Sequence, residues 1–383
     1  MIEIKNPADC CGCTACESIC AHNAITMKED EEGFLYPVVN VSSCVGCGLC
    51  NNVCPIVSRK SSRLSPTYKK IYAIRNKNKN TLLKSSSGGA FSLIAKYVID
   101  HGGYVVGAIY NENMIVCHTI TNDMAGVEKM RGSKYSQSNM GNTFRDVKKL
   151  LRNGEFVLFT GTPCQVDGLK KFLQKDYKNL LTMDVVCHAV PSPKIFNEYL
   201  QYVEKRLNKR IVNLIMRDKQ KHGWSHIFSY RYIFNDGTEK CDPLWIKNWG
   251  TIYFSRLIDR PSCHHCLYTN YSRCSDITVA DFWDDKKLRK DIYSNYGTSL
   301  FIVNTQSGSE VFDEIKDTCY YWDITKNESY QPCLETPTIA NPLRMNFWIF
   351  YKKNGFIKTY NKFFDDSIYI KIKKVIKIII GRA

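Results

Sequence analysis

The chain has 383 residues, 23% charged and 44% hydrophobic, with 18 cysteines and a formal net charge of +16. That length allows two or three domains with ample core, and it is too long for the cysteines to be the disulfide frame of a small secreted scaffold. No stretch approaches 18 consecutive apolar residues, so no spanning helix is expected, and Met1 to Pro7 has no apolar signal-peptide core. Thiols that hold metal need a reducing compartment, which makes the cytoplasm the expected location. The positive charge suits an acidic protein or nucleotide partner or an anionic lipid surface, or it reflects a chain rich in lysine and asparagine. With nothing beyond charge and cysteines to support it, no nucleic-acid partner is expected.

The first patterned stretch is Cys10-x2-Cys13-x2-Cys16-x3-Cys20, repeated as Cys44-x2-Cys47-x2-Cys50-x3-Cys54-Pro55. Three cysteines on a tight loop hold three irons of a cubane, and the fourth, on the following turn, reaches the other cluster. On that pattern Cys10, Cys13, Cys16 and Cys54 hold one [4Fe-4S] cluster, and Cys44, Cys47, Cys50 and Cys20 hold a second. A zinc ribbon also pairs Cys-x2-Cys, but two identical four-cysteine runs fit it poorly. Ala21 stands where proline is usual, and Cys11 is an extra thiol, read as a bystander. Ala24 to Met27 and Phe34 to Val38 read as strands about a polar turn. Residues 1–57 thus resemble a dicluster ferredoxin domain.

Residues 58–70, polar and basic, read as a linker. A strand at Ile71 to Ile74 precedes Ser85-Ser86-Ser87-Gly88-Gly89, which opens onto a helix from Ala90 to Ile99 closed by glycines. Free N–H groups of such a loop at a helix start suit a phosphate, although an ordinary serine-capped turn reads the same way. A strand follows at Tyr104 to Tyr110. Arg131-Gly132-Ser133-Lys134-Tyr135 supplies cations and hydroxyls, fitting either a second anion-binding segment or a solvated loop. Phe156 to Thr160 is a buried-type strand running through Gly161-Thr162-Pro163-Cys164 into a helix from Gln165. Strand–loop–helix repeats at Leu180 to Val186, Cys187-His188 and Lys194 to Leu207, which argues a parallel α/β unit. Cys164 and Cys187 then lie at carboxyl ends of neighbouring strands, where open α/β sheets build their sites. Strands at Ile211 to Met216 and Phe228 to Phe234 follow, with a hairpin turn at Asn235 to Thr238. Cys263-x2-Cys266 comes next. With Cys164 and Cys187 it makes four thiols, enough for a third cluster, and Cys274 is a reserve ligand. No Gly-x-Gly-x-x-Gly follows a strand, which argues against a Rossmann nicotinamide site.

In order, Ser86-Ser87-Gly88-Gly89-Ala90-Phe91, Arg131 to Tyr135, Gly161 to Leu169, Cys187-His188-x2-Pro191-Ser192-Pro193, and Arg260-Pro261-Ser262-Cys263-x2-Cys266 with Asp281-Phe282-Trp283 resemble the beta subunits of coenzyme F420-reducing hydrogenases and dehydrogenases. The likeness spans about residues 68–285, with Ala280 where that family often has glycine. It implies an iron–sulfur flavoprotein with FAD and a third [4Fe-4S] cluster on Cys164, Cys187, Cys263 and Cys266. Ser86, Ser87, Gly88, Gly89, Arg131, Gly132, Ser133, Lys134, Tyr135, Gly161, Thr162 and Pro163 become flavin-binding candidates. Lys134 would stabilise charge on the reduced flavin, and His188 is a candidate proton donor.

The expected fold is α+β: a small dicluster ferredoxin-like domain (1–57), the linker (58–70), and a larger mixed α/β FAD-binding domain. That domain has an N-terminal part at 71–210 and a C-terminal part at 211–340, and a basic amphipathic tail follows at 341–383. Ile368, Ile372, Val375, Ile376 and Ile379 share one helical face of that tail. It would rest on anionic lipid at the inner membrane face, or pack on the domain or a partner. The implied activity takes electrons from a ferredoxin or another one-electron donor through clusters and FAD to a small organic acceptor, with F420 or a glycan precursor as candidates. The rival is a non-catalytic electron-relay subunit.

Overall fold

The computed structural model describes residues 1–59, 70–220, 222–224, 229–243, 246–283 and 289–364. In the N-terminal part, β1 (Ile25–Glu29) and β2 (Leu35–Val39) pair antiparallel, with Ile25 opposite Val39. The Asp30 carboxylate closes their turn by accepting the N–H groups of Glu32 and Phe34 at 3.0 and 2.8 Å. The two cysteine runs flank this hairpin, each bending through left-handed residues into one short helix, Ala15–Ile19 or Leu49–Asn52. Most of the linker, 60–69, lies outside the described residues.

The remaining strands are β3 (Lys70–Asn76), β4 (Tyr104–Tyr110), β5 (Val116–Thr121), β6 (Val157–Gly161), β7 (Leu180–Val185), β8 (Ile211–Ile215), β9 (Arg231–Phe234), β10 (Glu239–Cys241), β11 (Ile277–Asp281), β12 (Ser299–Val303) and β13 (Cys319–Asp323). Eight of them form one sheet in the order β13-β3-β12-β11-β7-β6-β4-β5. Its centre, β11, β7, β6 and β4, is parallel, and antiparallel strands complete both edges. The sheet draws strands from both sides of residue 210. Central strands such as Val157-Leu158-Phe159 are buried on both faces, which is why they read as unbroken apolar runs. Helices Ala90–Asp100 and Gln306–Ile315 cover one face, and Thr143–Arg152 and Pro163–Leu173 cover the other. The Pro163 helix begins two residues before the expected Gln165, because proline suits the first helical position and Thr162 with Gln165 forms a capping box. β8, β9 and β10 make a separate antiparallel sheet, and the expected start of its middle strand, Phe228, lies outside the described residues.

The tail expectation divides. Arg344–Phe363 is a helix that buries Phe347, Trp348, Tyr351 and Tyr360 in the core shared with helix Pro193–Leu207. These aromatic side chains pack this first part of the tail on the domain. The isoleucine face from Ile368 onward lies outside the described residues. No helix among the described residues is long and apolar enough to cross a membrane.

The N-terminal unit is seated on the larger one by its hairpin turn. Arg344 grips the Glu32 carboxylate, with one bond at 3.0 Å, and Lys352 pairs with Glu31. Gly33, at φ +86°, lies so close to Lys194 that a Cβ would sit 2.3 Å from that residue's own Cβ. The architecture is a mixed α/β domain preceded by a small ferredoxin-like domain.

Candidate iron–sulfur and cofactor site

The two cysteine runs share one backbone. Gly12 and Gly46 have φ of +70° and +71°, and Thr14 and Gly48 have +66° and +76°. Left-handed residues at these steps bend the chain sharply between successive cysteines. Burial first, then the nearby sulfurs of Cys10, Cys54 and Cys50, push the Cys16 thiol far above its usual range. Burial likewise raises Cys54, with Cys10 and Cys50 adding to it. Cys10, Cys16 and Cys54 are therefore neighbours although Cys54 belongs to the second run. Thiols crowded this way are poor homes for bare thiolates, and bound metal relieves the crowding. Backbone N–H groups also reach sulfur: Gly12 to Cys10 at 3.4 Å, Ala24 to Cys20 at 3.3 Å and Ile2 to Cys50 at 3.1 Å. Among the described residues no three His, Cys, Asp or Glu side chains stand close enough to share one ion.

Cys10 and Cys13 are buried beneath the larger domain, whereas Cys44 is half-buried and Cys47 exposed. We call the first set inner and the second outer. The inner loop lies on helix Pro163–Leu173, where Gly168 leaves room: a Cβ there would meet Cys13 Cβ and Sγ at 2.9 Å. Gln137 donates to the Cys11 carbonyl at 3.0 Å, and Arg260 donates to the Cys10 carbonyl at 2.7 Å.

Beyond the inner set lies a cavity of about 500 Å³ at the carboxyl ends of β6, β7 and β11. Cys164, Cys187, Cys263 and Cys266 line it together, as does Cys11. Burial, then Cys164 and further on Cys266, raises Cys187; burial, then Cys164, lifts Cys266 to about 11. Cys274 is not part of this wall but packs close to it, its sulfur 3.7 Å from the Pro163 carbonyl. Cys11, read from sequence as a bystander, lies beside both Cys13 and Cys164, close enough that each acts on its thiol. It thus joins the inner set to the cavity.

The remaining wall brings together Ser86, Ser87, Gly89, Arg131, Gly132, Ser133, Lys134, Tyr135, Gly161, Thr162 and Pro163. Ser86 links two of these segments by accepting the Ser133 N–H at 2.8 Å. Gly88 is the exception. It is pressed against the Ile74 carbonyl and the Ser299 N–H, where a Cβ would come within 2.4 and 2.5 Å, so it serves strand packing. Lys134 donates to the carbonyls of Met130, Arg131 and Gly132 at 3.1, 3.3 and 3.1 Å, closing the end of helix Met124–Met130. Burial lowers its ammonium to about 7. His188 lies against Trp283, with ring centroids 5.5 Å apart, and its Nδ1 is 3.4 Å from Cys333 Sγ. Burial, with Arg256 nearby, lowers it to about 4, which leaves it neutral near pH 7.

Sequence reasoning assigned no role to Arg217 and Asp281, which form a buried pair at 2.9 Å in the cavity wall. Arg217 also approaches the Tyr135 hydroxyl at 3.4 Å. Burial opposes both charges, yet each holds the other ionised, Arg217 above and Asp281 below its usual range. The only signal was the Asp281-Phe282-Trp283 motif, and its partner lies 64 residues away.

Two family models match the chain. Residues 9–57 match the 4Fe-4S dicluster domain, and residues 154–326 match the C-terminal region of the coenzyme F420 hydrogenase/dehydrogenase beta subunit. Among solved structures, a chain of the F420-reducing [NiFe] hydrogenase complex from Methanosarcina barkeri is similar at 17% identity and a TM-score of 0.46. The match covers 79% of this chain and 93% of that one. No curated protein matches.

Proposed function

We propose, for a chain that joins a 4Fe-4S dicluster domain to a region of the coenzyme F420 hydrogenase/dehydrogenase beta-subunit family, that electrons pass from a one-electron donor protein through iron–sulfur clusters to a flavin in the cavity. From there they reach an organic two-electron acceptor. The observation that carries this reading is the continuity of thiols: exposed Cys47, the inner set with Cys10 and Cys13 buried and Cys16 and Cys54 half-buried, Cys11, and then Cys164 in the wall of the cavity.

The residues fit both groups. Two thiol sets lie close together in the N-terminal domain, Cys50 of one near Cys16 and Cys54 of the other, and a third lies in the wall of a cavity whose size is ordinary for a small-molecule or cofactor site. A flavin takes up electrons singly and gives up two as a hydride. The chain's part is to hold, space and shield. The Ser86–Ser133 bond ties the serine loop to the basic segment, so hydroxyls and N–H groups of both face the same space. Lys134, fixed on three carbonyls, sets the position of the Arg131–Tyr135 turn, and its positive charge falls away above about pH 7. The Arg217–Asp281 pair is a buried, fixed dipole at the mouth of the strands. The acceptor stays open between F420, a glycan precursor and other small organic molecules.

Oxygen-free purification followed by iron, sulfide and flavin analysis tests the reading. About twelve irons and one FAD per chain are expected for three clusters. About eight irons and no flavin would instead make the chain an electron relay.

A further inference from the structure

Arg260 is fully buried, with no exposed surface. Its Nε donates to the Cys10 carbonyl at 2.7 Å, one terminal nitrogen to Gln137 Oε1 at 3.0 Å, and the other to the Leu35 carbonyl at 2.9 Å and Cys10 Sγ at 3.5 Å. The guanidinium also stacks over Tyr36, 4.4 Å from the ring centre. None of these partners is a carboxylate. A charge this deep is costly unless an opposite charge answers it. The groups that favour its charge are Cys10, then the Tyr36 hydroxyl, then Cys11 and, three residues along the chain, Cys263. The Arg217–Asp281 pair in the same molecule shows the ordinary arrangement that Arg260 lacks.

We infer that Arg260 is the counter-charge of the inner cluster: a buried cation fixed against Cys10 that raises this cluster's reduction potential. The inference rests on the assignment of Cys10, Cys13, Cys16 and Cys54 to one cluster. Reduction adds negative charge to a cluster, and a fixed cation in a low-dielectric setting favours the reduced form. The turn of the outer run stands in the open by comparison. Gly46, in the position of Gly12, has no atom within 4 Å of where a Cβ would stand among the described residues, whereas at Gly12 that Cβ would lie 2.7 Å from the Arg260 guanidinium. Arg260 is a positioning residue acting through electrostatics.

The test is a potentiometric titration followed by electron paramagnetic resonance on wild type, Arg260→Met and Gln137→Glu. Arg260→Met deletes the charge. Gln137→Glu keeps the guanidinium in place and sets a carboxylate against it. Both variants are expected to disfavour reduction of the inner cluster at least tenfold, a downward shift of about 59 mV for a one-electron couple, while the outer potential stays fixed as an internal reference. Unchanged potentials in an iron-replete Arg260→Met protein overturn the inference. If that variant loses iron, an unchanged inner potential in Gln137→Glu does so instead. A wild-type protein that holds no iron in the inner set would sink the cluster assignment itself, a distinct result.

Discussion

The two cysteine runs have the same spacing and nearly the same backbone, and they stand in opposite surroundings. In the outer run the turn glycines Gly46 and Gly48 face open space, and Cys47 is exposed. In the inner run Gly12 is capped by Arg260 and Gln137, and Cys13 rests on Gly168. From Pro37 to Ser58 the chain has no charged residue, whereas the inner run is held by a buried guanidinium. A local motif therefore fixes how the cysteines converge, and the rest of the chain fixes what surrounds them.

The largest expected effect breaks the pairing of the runs. Cys54→Ser should remove the inner cluster and Cys20→Ser the outer one, each losing about four irons, although each cysteine sits in the opposite run. Spectra that show both substitutions abolishing the same cluster would refute the crossed assignment. Glycine substitutions should give a smaller contrast. Gly12→Ala combines a left-handed backbone with a collision at Arg260 and should destabilise by about 2–5 kcal/mol; Gly46→Ala meets only the backbone term, about 1 kcal/mol. Denaturation midpoints that fall equally would show that the surroundings do not distinguish the runs.

The smallest effect concerns pH. Burial lowers His118, beneath the cavity and bonded to Ser138 and the Thr160 carbonyl, to about 4. Its folded pKa lies below the unfolded value, so the unfolded chain binds the extra proton between about pH 6.5 and 4. Stability falls as pH drops through that window, by roughly 1–3 kcal/mol. The outer loop, 37–58, has no histidine to match. Comparing denaturation at pH 7 and pH 5, His118→Gln should flatten the dependence; an unchanged slope assigns it elsewhere.

Much of the frame was legible in the sequence because it is local. Strand–loop–helix repetition announced β6 and β7 with Cys164 and Cys187 at their ends, and the twin cysteine runs announced the N-terminal domain. What was not legible depends on contacts across the chain. Arg260 was visible only as the first residue of a Cys263 motif, since its partners lie 250 residues away at Cys10. Gly88 looked like part of a phosphate loop because a glycine that permits close strand packing and one that frees N–H groups are the same letter. Cys11 could not be weighed until Cys13 and Cys164 were seen on either side of it. The aromatic helix Arg344–Phe363 was absorbed into a basic tail because its four lysines and Arg344 have no acidic residue among them.

The seat beneath the inner run has a consequence for biogenesis. Cys10 and Cys13 lie under Arg260 and Gly168 once the hairpin turn is clamped by Arg344 and Lys352. Closing that seat covers these two thiols, so iron and sulfide are expected to enter the inner run before the two halves meet, whereas Cys47 stays exposed in the closed form.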